Sequence, residues 1–146
     1  MTDYAITDLI PHKKAMCLIK RVLDWGEDWS RVEVDVADSG AFIIDGFVPA
    51  YVVIEYMAQT IAALAGLRAK ARGKSIQLGL LLGTRLLSSP VDKIKADATL
   101  TVWVKEIFIE ENGLAVYECQ VTGEGIEIKS NLNVYQSDKL GEIFND

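Results

Sequence analysis

The feature that most constrains the fold is one long apolar stretch near the middle of the chain, residues 48–71, which reads VPAYVVIEYMAQTIAALAGLRAKA. From Ala50 to Leu67 nearly every residue is apolar or small, a pattern that favours a helix buried on all sides over one with a wet face. At about 1.5 Å per residue, such a helix spans roughly 30 Å and can cross a small domain. We therefore expect this stretch to form the central helix of the fold.

Two polar side chains interrupt the apolar stretch, Glu55 and Gln59. They are four residues apart and so share one face of the predicted helix. A carboxylate in such surroundings is costly unless it is paired or used, which makes Glu55 a candidate functional residue. The alternative is a buried structural acid bonded to the backbone or to Gln59. A membrane-spanning helix has the right length, but both polar groups would lie near the middle of the bilayer, which disfavours it.

The composition narrows the classes of function. A chain of 146 residues fits a single domain over 1–146, and its net charge of −6 lacks the positive surplus that nucleic acid or an anionic membrane requires. The N-terminus has neither a basic start nor an apolar run, so we expect a cytoplasmic protein. Cys17 and Cys119 are predicted to be buried packing residues rather than a disulfide. One histidine and two distant cysteines do not make a zinc site, and we expect no metal and no bound cofactor.

Turn residues and hydrophobic periodicity divide the rest of the chain. A short helix is predicted over 3–10 and ends before Pro11. The long helix is predicted to end at about Arg72, with Gly73 in the left-handed capping position. Asn112 and Gly113, and the glycine turn at 123–125, predict hairpins. The predicted strands are 16–25, 31–36, 76–87, 98–109, 114–122 and 126–135, and the segment 38–46 is predicted to be a loop.

This order, a hairpin, a long helix and then four strands, predicts an α+β domain in which an antiparallel sheet of about six strands covers or wraps one helix. A single helix leaves the other sheet face and the helix margins without cover. We therefore expect a dimer. The polar tail over 137–146 is expected to be loosely held.

Several short motifs resemble those of one family. The segment LIPHKKAM at 9–16, followed by LIKRVL at 18–23, resembles the opening of bacterial 3-hydroxyacyl-acyl-carrier-protein dehydratases. IEYMAQ at 54–59 resembles their helix motif. LLLGTR at 80–85, NGLAVY at 112–117 and LNVY at 132–135 are similar to a dehydratase-like subfamily associated with aryl polyene pigment gene clusters. The motifs are short, but their order and spacing extend the resemblance over nearly the whole chain.

The resemblance implies a hotdog fold, in which a curved antiparallel sheet wraps a central helix, and a catalytic role for Glu55. It also implies an acyl thioester substrate on acyl carrier protein or coenzyme A, with no cofactor beyond the carrier's phosphopantetheine arm. One departure is important. The dehydratases carry a catalytic histidine in a loop about fourteen residues before the helix glutamate, whereas here residues 41–49 read AFIIDGFVP. The chain's one histidine is His12, in the opening motif.

Dehydration of a 3-hydroxyacyl thioester needs a base for the proton beside the carbonyl, an acid for the leaving hydroxyl and donors for the oxyanion. Glu55 suits the acid, because apolar surroundings favour a protonated carboxyl. His12 is the candidate base, since an unperturbed imidazole suits proton transfer near neutrality. The alternative is that His12 is a surface or packing residue. Asp45, in the altered loop, is the next candidate to replace the missing histidine.

The start of the helix is the predicted oxyanion site. Pro49 suits the first helical position and Val48 is a poor cap, so the amides of residues 50–52 are expected to lack side-chain partners. Capping by Asp45 or by a loop carbonyl is the alternative. Gly79 and Gly83 indicate either close approach of a ligand or a bulge. The predicted substrate-binding residues are Ala50, Tyr51, Gln59 and Gly83.

Three functions remain open from the sequence. The first is a 3-hydroxyacyl thioester dehydratase in fatty-acid, polyketide or aryl polyene synthesis. The second is a hotdog subunit without catalysis, which binds acyl chains or pairs with an active dehydratase, and the missing loop histidine favours it. The third is an acyl thioesterase, which shares the fold and a helix acid. Homodimers and heterodimers with another hotdog protein are both compatible with these functions.

Overall fold

A computed structural model describes residues 5–10, 16–73 and 79–136. Within these residues the chain forms one long helix, eight strands and three short 3₁₀ segments. The helix is α1, Val53–Ala71. The strands are β1 Arg21–Trp25, β2 Trp29–Asp35, β3 Phe47–Pro49, β4 Gly79–Ser88, β5 Lys93–Lys95, β6 Thr99–Ile109, β7 Leu114–Gly123 and β8 Ile126–Gln136. The 3₁₀ segments are Ile6–Asp8, Val36–Phe42 and Ala50–Val52.

Six strands form one antiparallel sheet in the order β1-β2-β6-β7-β8-β4. Alternate residues along β2, β6, β7 and β8 are buried; in β6, for example, these are Leu100, Val102 and Val104, all 0% exposed. The strict alternation is what a sheet with one covered face requires. The predicted α+β architecture, a sheet of six strands around one helix, is therefore confirmed.

The prediction that the helix is buried on all sides is wrong in one respect. Most of α1 packs into the core, and residues such as Tyr56, Met57 and Leu64 are 0% exposed. One stripe is only half-buried; it comprises Ile54, Glu55, Ala58, Ala62 and Ala65. These positions recur every three or four residues, so they form one face along the helix. Apart from Glu55, the stripe consists of apolar residues. The hydrophobic pattern of the sequence therefore did not reveal that this face is partly exposed.

The helical segment Ala50–Ala71 is long and apolar enough to cross a membrane by length and composition alone. In this structure 67% of its most apolar window is buried inside the chain. Its apolar surface is therefore covered mainly by the sheet of its own domain, as in the core helix of a globular protein.

The predicted hairpins are present. Asn112 Oδ1 accepts the amide hydrogen of Leu114 at 3.0 Å, and Gly113 has φ 95° between β6 and β7. The β7–β8 turn contains Glu124 and Gly125, both with positive φ, and pairs Gly123 with Ile126. Turn residues that tolerate positive φ therefore set the register between β6, β7 and β8.

Two sequence expectations about strands are corrected. The run predicted over 16–25 pairs as a strand only from Arg21, because the backbone of Met16 and Leu18 is bonded to the side chain of Gln59 instead. Two strands, β3 and β5, were not predicted at all. Each has three residues, too few to show an alternating pattern. The two strands pair with each other, with Phe47 opposite Lys95, and β3 ends just before the start of the helical segment.

The N-terminal segment packs directly on α1. Residues Ile6–Asp8 form a single 3₁₀ turn in place of the longer predicted helix, and Leu9 and Ile10 are buried. Gly66 makes this approach possible, since a Cβ placed there would lie 2.1 Å from the carbonyl oxygen of Leu9. The predicted tail over 137–146 and the start of the strand predicted from residue 76 lie outside the described residues.

Ion pairs of the described residues connect distant elements, among them Arg68–Glu106 and Lys20–Asp35. Near the C-terminal end of α1, Arg68 Nη1 lies 2.8 Å from Glu106 Oε2 on β6, with side chains 16% and 15% exposed. The Tyr117 hydroxyl donates to the same oxygen at 3.1 Å, and burial raises the pKa of Tyr117, so it remains a donor at neutral pH. Lys20 Nζ lies 2.7 Å from Asp35 Oδ2. That hydrogen bond lowers the pKa of Asp35.

Candidate active site

Glu55 lies in the first turn of α1, on the half-buried stripe. Its Oε1 accepts a hydrogen bond from Gln59 Nε2 at 3.0 Å, one helical turn further along. The carboxyl group is therefore held in a defined position while its residue keeps partial access to the surface. The structure thus brings together the two polar residues that the sequence singled out.

Gln59 is completely buried and its amide is fully used within the chain. Its Oε1 accepts the amide hydrogen of Leu18 at 2.8 Å, and its Nε2 donates to the Met16 carbonyl at 2.8 Å as well as to Glu55. The expectation that Gln59 binds substrate stays a prediction, and such a contact would require one of these bonds to break. What the amide does in this structure is join the helix to residues 16–18.

His12, the predicted base, lies outside the described residues, within 11–15. In the sequence it precedes Met16 by four residues. Met16 is the first described residue after this gap, and its carbonyl accepts a hydrogen bond from the Gln59 amide. The predicted role of His12 stays a prediction.

The loop that replaces the histidine-bearing loop of the dehydratases contains more structure than predicted. Its first part is the 3₁₀ segment Val36–Phe42, which is tied to α1 by a hydrogen bond between the buried Ser39 and Tyr56 hydroxyls. Burial raises the pKa of Tyr56, so its hydroxyl is neutral near pH 7. Tyr56 directly follows Glu55 in the sequence, so this bond connects the altered loop to the first turn of the helix, which also contains the candidate acid.

Asp45, the proposed replacement for the histidine, is exposed and has φ 52°. It lines a shallow cavity formed with Ile44, Phe47, Pro49, Asp92 and Lys93. Glu55 is not among the residues that line this cavity. A catalytic role for Asp45 beside Glu55 therefore gains no support from the cavity that Asp45 lines.

The start of the helix differs from the prediction. Pro49 belongs to β3 and precedes a 3₁₀ turn, and the amide of Ala50 donates to the Asp92 carbonyl at 2.9 Å. Among the described residues the Ala50 amide has no side-chain partner, as expected, but it is not free, because the alternative of capping by a loop carbonyl is what the structure shows: the connection before β5 supplies the acceptor. The amides of Tyr51 and Val52 stay predicted oxyanion donors.

Three large apolar side chains are exposed around the N-terminal end of α1, and we call them the apolar collar: Met16, Ile44 and Tyr51, with exposures of 52%, 62% and 65%. Tyr51 lies one turn before Glu55 on the helix. Met16 is bonded through its carbonyl to Gln59, and Ile44 shares a cavity wall with Pro49. Each collar residue is therefore connected to the part of the chain around the start of α1, where the candidate acid lies.

A larger cavity of about 600 Å³ lies beyond Phe47, between the β3–β5 pair and the β7–β8 turn. Its lining includes Phe47, Lys93, Lys95 and Glu124, and the Lys93 ammonium group lies 4.2 Å from the centre of the Phe47 ring. Sequence reasoning missed this cavity because it missed β5. Gly83, the remaining predicted binding residue, lies in β4 next to a register shift between Leu81 and Gly83, so the bulge expected as its alternative is present.

Comparison with known proteins agrees with this architecture. The structure is similar to the dehydratase heterocomplex ApeI:P from Xenorhabdus doucetiae, with a TM-score of 0.87 and 25% identity over 99% of this chain and 100% of that one. It also resembles a hypothetical thioesterase from Streptococcus pneumoniae TIGR4 solved with coenzyme A, with a TM-score of 0.59 and 13% identity over 80% of this chain and 84% of that one. Likeness at that lower identity concerns the fold alone.

A third similar structure is a mutant of the phenylacetic acid degradation protein PaaI from Thermus thermophilus, with a TM-score of 0.54 and 15% identity over 77% of this chain and 90% of that one. A search of curated proteins gives no match. The sequence model of the ApeP-like family, described as ApeP dehydratase, matches residues 4–145. The hotdog fold and the dehydratase resemblance expected from the sequence are thus confirmed, and the chain belongs to the ApeP-like dehydratase family.

Proposed function

We propose that this protein takes part in the dehydration of 3-hydroxyacyl thioesters, with Glu55 as the general acid. The observation that carries the proposal is the placement of Glu55: a single carboxyl group, half-buried in an otherwise apolar helix stripe and held at 3.0 Å by a buried amide. Membership of the ApeP-like dehydratase family supports the reaction class.

In this reaction the base removes the proton from the carbon next to the thioester carbonyl, and the electron pair left on that carbon forms the new double bond. The hydroxyl group on the next carbon leaves with the proton that Glu55 supplies, as water. Amides at Tyr51 and Val52 are the proposed donors to the carbonyl oxygen as negative charge develops there. The substrate is proposed to be carried on acyl carrier protein or coenzyme A, and the protein to act in the cytoplasm.

His12 is the proposed base. It is the chain's one histidine, and it lies four residues before Met16, whose carbonyl is bonded to the same Gln59 amide that holds Glu55. Residues 41–49 contain no histidine to take its place. The base is therefore proposed to come either from His12 or from a partner subunit.

A partner subunit is the second part of the proposal. The apolar collar is exposed and the stripe of α1 that contains Glu55 is only half-buried, so apolar surface near the start of the helix is uncovered in a single chain. The similar structure from Xenorhabdus doucetiae is a dehydratase heterocomplex. We propose that a second hotdog subunit, identical or different, covers the collar and closes the acyl-binding site.

The second candidate function is that of a partner without catalysis of its own, in a heterodimer whose other subunit carries the reacting groups. The altered loop favours it, because residues 36–49 are built around the Ser39–Tyr56 hydrogen bond and contain no histidine. The two functions differ in whether Glu55 is needed for turnover.

The test combines purification of the chain alone, and with a neighbouring hotdog protein, with a mass-spectrometric assay of water loss from 3-hydroxyacyl carrier protein. We expect turnover by the assembly that contains this chain. Exclusive heterodimers in which turnover depends only on residues of the other subunit would refute the catalytic proposal and support the second candidate. Absence of turnover on 3-hydroxyacyl thioesters of several chain lengths, by either assembly, would contradict both.

A further inference from the structure

The chain contains one polar side chain that is completely buried, touches the candidate acid and has no role in the reaction as proposed. Gln59 is 0% exposed. Burial of an amide is tolerated only when its donors and acceptor are satisfied, and here three hydrogen bonds of 2.8 to 3.0 Å do so. Two of these bonds reach the segment at 16–18 and one reaches Glu55.

The hydrogen-bond network defines the orientation of the amide. Its oxygen faces the N–H group of Leu18, and its nitrogen faces two acceptors, the Met16 carbonyl and the Glu55 carboxyl. If the amide were rotated by half a turn, its NH₂ group would face an N–H group and its oxygen would face a carbonyl. Only the observed orientation satisfies all of these groups.

We propose that Gln59 is a positioning residue, which aims the Glu55 carboxyl group and at the same time anchors the segment that follows His12; the catalytic part of this inference rests on the proposed function. Because Oε1 of Glu55 accepts the amide hydrogen, Oε1 is the carbonyl-like oxygen of the acid. The proton that Glu55 gives to the leaving hydroxyl is then carried on Oε2. The amide selects the reacting oxygen without touching the substrate.

The same amide couples two parts of the site. The Leu18 and Met16 bonds hold an irregular backbone segment against α1. Loss of the amide therefore releases both the carboxyl group and the segment leading to His12, which lies four residues earlier. An error of about 1 Å in the position of a reacting group can reduce turnover by roughly a hundredfold.

The variant that tests the inference is Gln59→Met, which keeps the length of the side chain and removes all three bonds. In the active assembly we expect kcat to fall by about 10- to 100-fold with KM within about threefold, because the change affects the aim of the acid and not the acyl contacts. The matched control is Thr60→Val. Thr60 is equally buried in the next position and its hydroxyl bonds only the Tyr56 carbonyl among the described residues, so kcat should stay within about twofold. Equal losses of kcat in the two variants would overturn the inference.

A second measurement does not depend on activity. The unfolding equilibria of Glu55→Met, Gln59→Met and the double variant form a double-mutant cycle, in which each single change removes the contact. We expect the unfolding equilibrium constant of the double variant to be at least about threefold smaller than the product of the two single-variant effects predicts. Additive effects would overturn the contact with Glu55, even if turnover were lost. If the wild-type assembly has no dehydratase activity, the cycle still decides the contact, while the proposed function fails separately.

Gln59→Glu provides a further variant in case Gln59→Met does not fold. It keeps an oxygen acceptor for the Leu18 amide but, once ionised, removes the donors to Met16 and Glu55. We expect the Leu18 amide to keep its protection from hydrogen exchange while kcat falls as far as in Gln59→Met. Wild-type kcat in a Gln59→Glu protein, at a pH at which the new carboxyl group is ionised, would overturn the positioning role.

Discussion

Gly66→Ala tests how closely the N-terminal segment is packed on the central helix. In an ordinary helix interior this substitution stabilises by about 1 kcal/mol, because glycine has more freedom to lose on folding. Here the new Cβ would lie 2.1 Å from the Leu9 carbonyl oxygen and 2.8 Å from its carbon. Both atoms belong to the backbone, so no side-chain rotation can relieve the overlap.

The magnitude follows from what must move. Overpacking of a core costs about 1–3 kcal/mol when the neighbours shift. If the segment detaches instead, Leu9 and Ile10, now 0% and 3% exposed, each lose burial that contributes about 1.5–3 kcal/mol. Because the overlapping atoms belong to the backbone, we expect detachment; the two losses together are about 3–6 kcal/mol, and after the helix-propensity gain of about 1 kcal/mol is subtracted, the free energy of unfolding should fall by about 2–5 kcal/mol. The measurement is urea unfolding followed by circular dichroism.

The control is Gly73→Ala, just beyond the helix. A Cβ at Gly73 has nothing within 4 Å, and only its positive φ of 65° opposes the substitution, at about 1–2 kcal/mol. Because the segment that packs on Gly66 continues towards His12, we also expect Gly66→Ala, but not Gly73→Ala, to reduce turnover. A Gly66→Ala protein as stable as the wild type would refute the close packing described here.

Three further predictions concern an ion pair, the two thiols and the carboxyl group of Asp35. Arg68→Met leaves the largely buried Glu106 carboxylate without its cation and should lower the free energy of unfolding by about 3 kcal/mol. Adding Glu106→Gln in the same chain should restore most of this loss. Full additivity of the two changes in a double-mutant cycle would contradict the prediction. Burial raises the pKa of Cys119 to about 12, so a thiol reagent at pH 8 should modify at most Cys17 in the native protein and both cysteines after denaturation; rapid modification of both would contradict the burial. The pKa of Asp35 is lowered in the folded state, so its contribution to stability is complete above its unfolded pKa of about 3.9 and is lost as the pH falls through the folded value. The difference in Tm between the wild type and Asp35→Asn should therefore shrink below about pH 4. A Tm difference that stays constant with pH would contradict this prediction.

Much of the fold could be predicted because its signals are local. The apolar stretch that forms α1, the alternation of apolar and charged residues in β2, and the Asn112–Gly113 turn each depend on residues close together in the sequence. The short pair β3 and β5 could not be predicted in this way, since three residues show no periodicity and their pairing joins positions almost fifty residues apart.

The candidate site shows the same division. Glu55 and Gln59 could be recognised because polar groups are conspicuous in an apolar helix, and the structure joins them by a hydrogen bond. The use of the Ala50 amide by Asp92 could not be predicted, because the acceptor comes from a distant connection. The half-exposed stripe of α1 was also hidden, since alanine and isoleucine are compatible with both a core and an interface.

The most direct test of the central claim compares the wild type with Glu55→Gln in the active assembly, by measuring water loss from 3-hydroxyacyl carrier protein. Glu118→Gln is the control, since Glu118 is an exposed acid on β7, remote in sequence from the helix. If Glu55 is the general acid, kcat should fall by about 10²- to 10⁴-fold in Glu55→Gln, with the fold retained, and stay unchanged in Glu118→Gln. A folded Glu55→Gln protein that dehydrates the substrate at the wild-type rate would contradict the account.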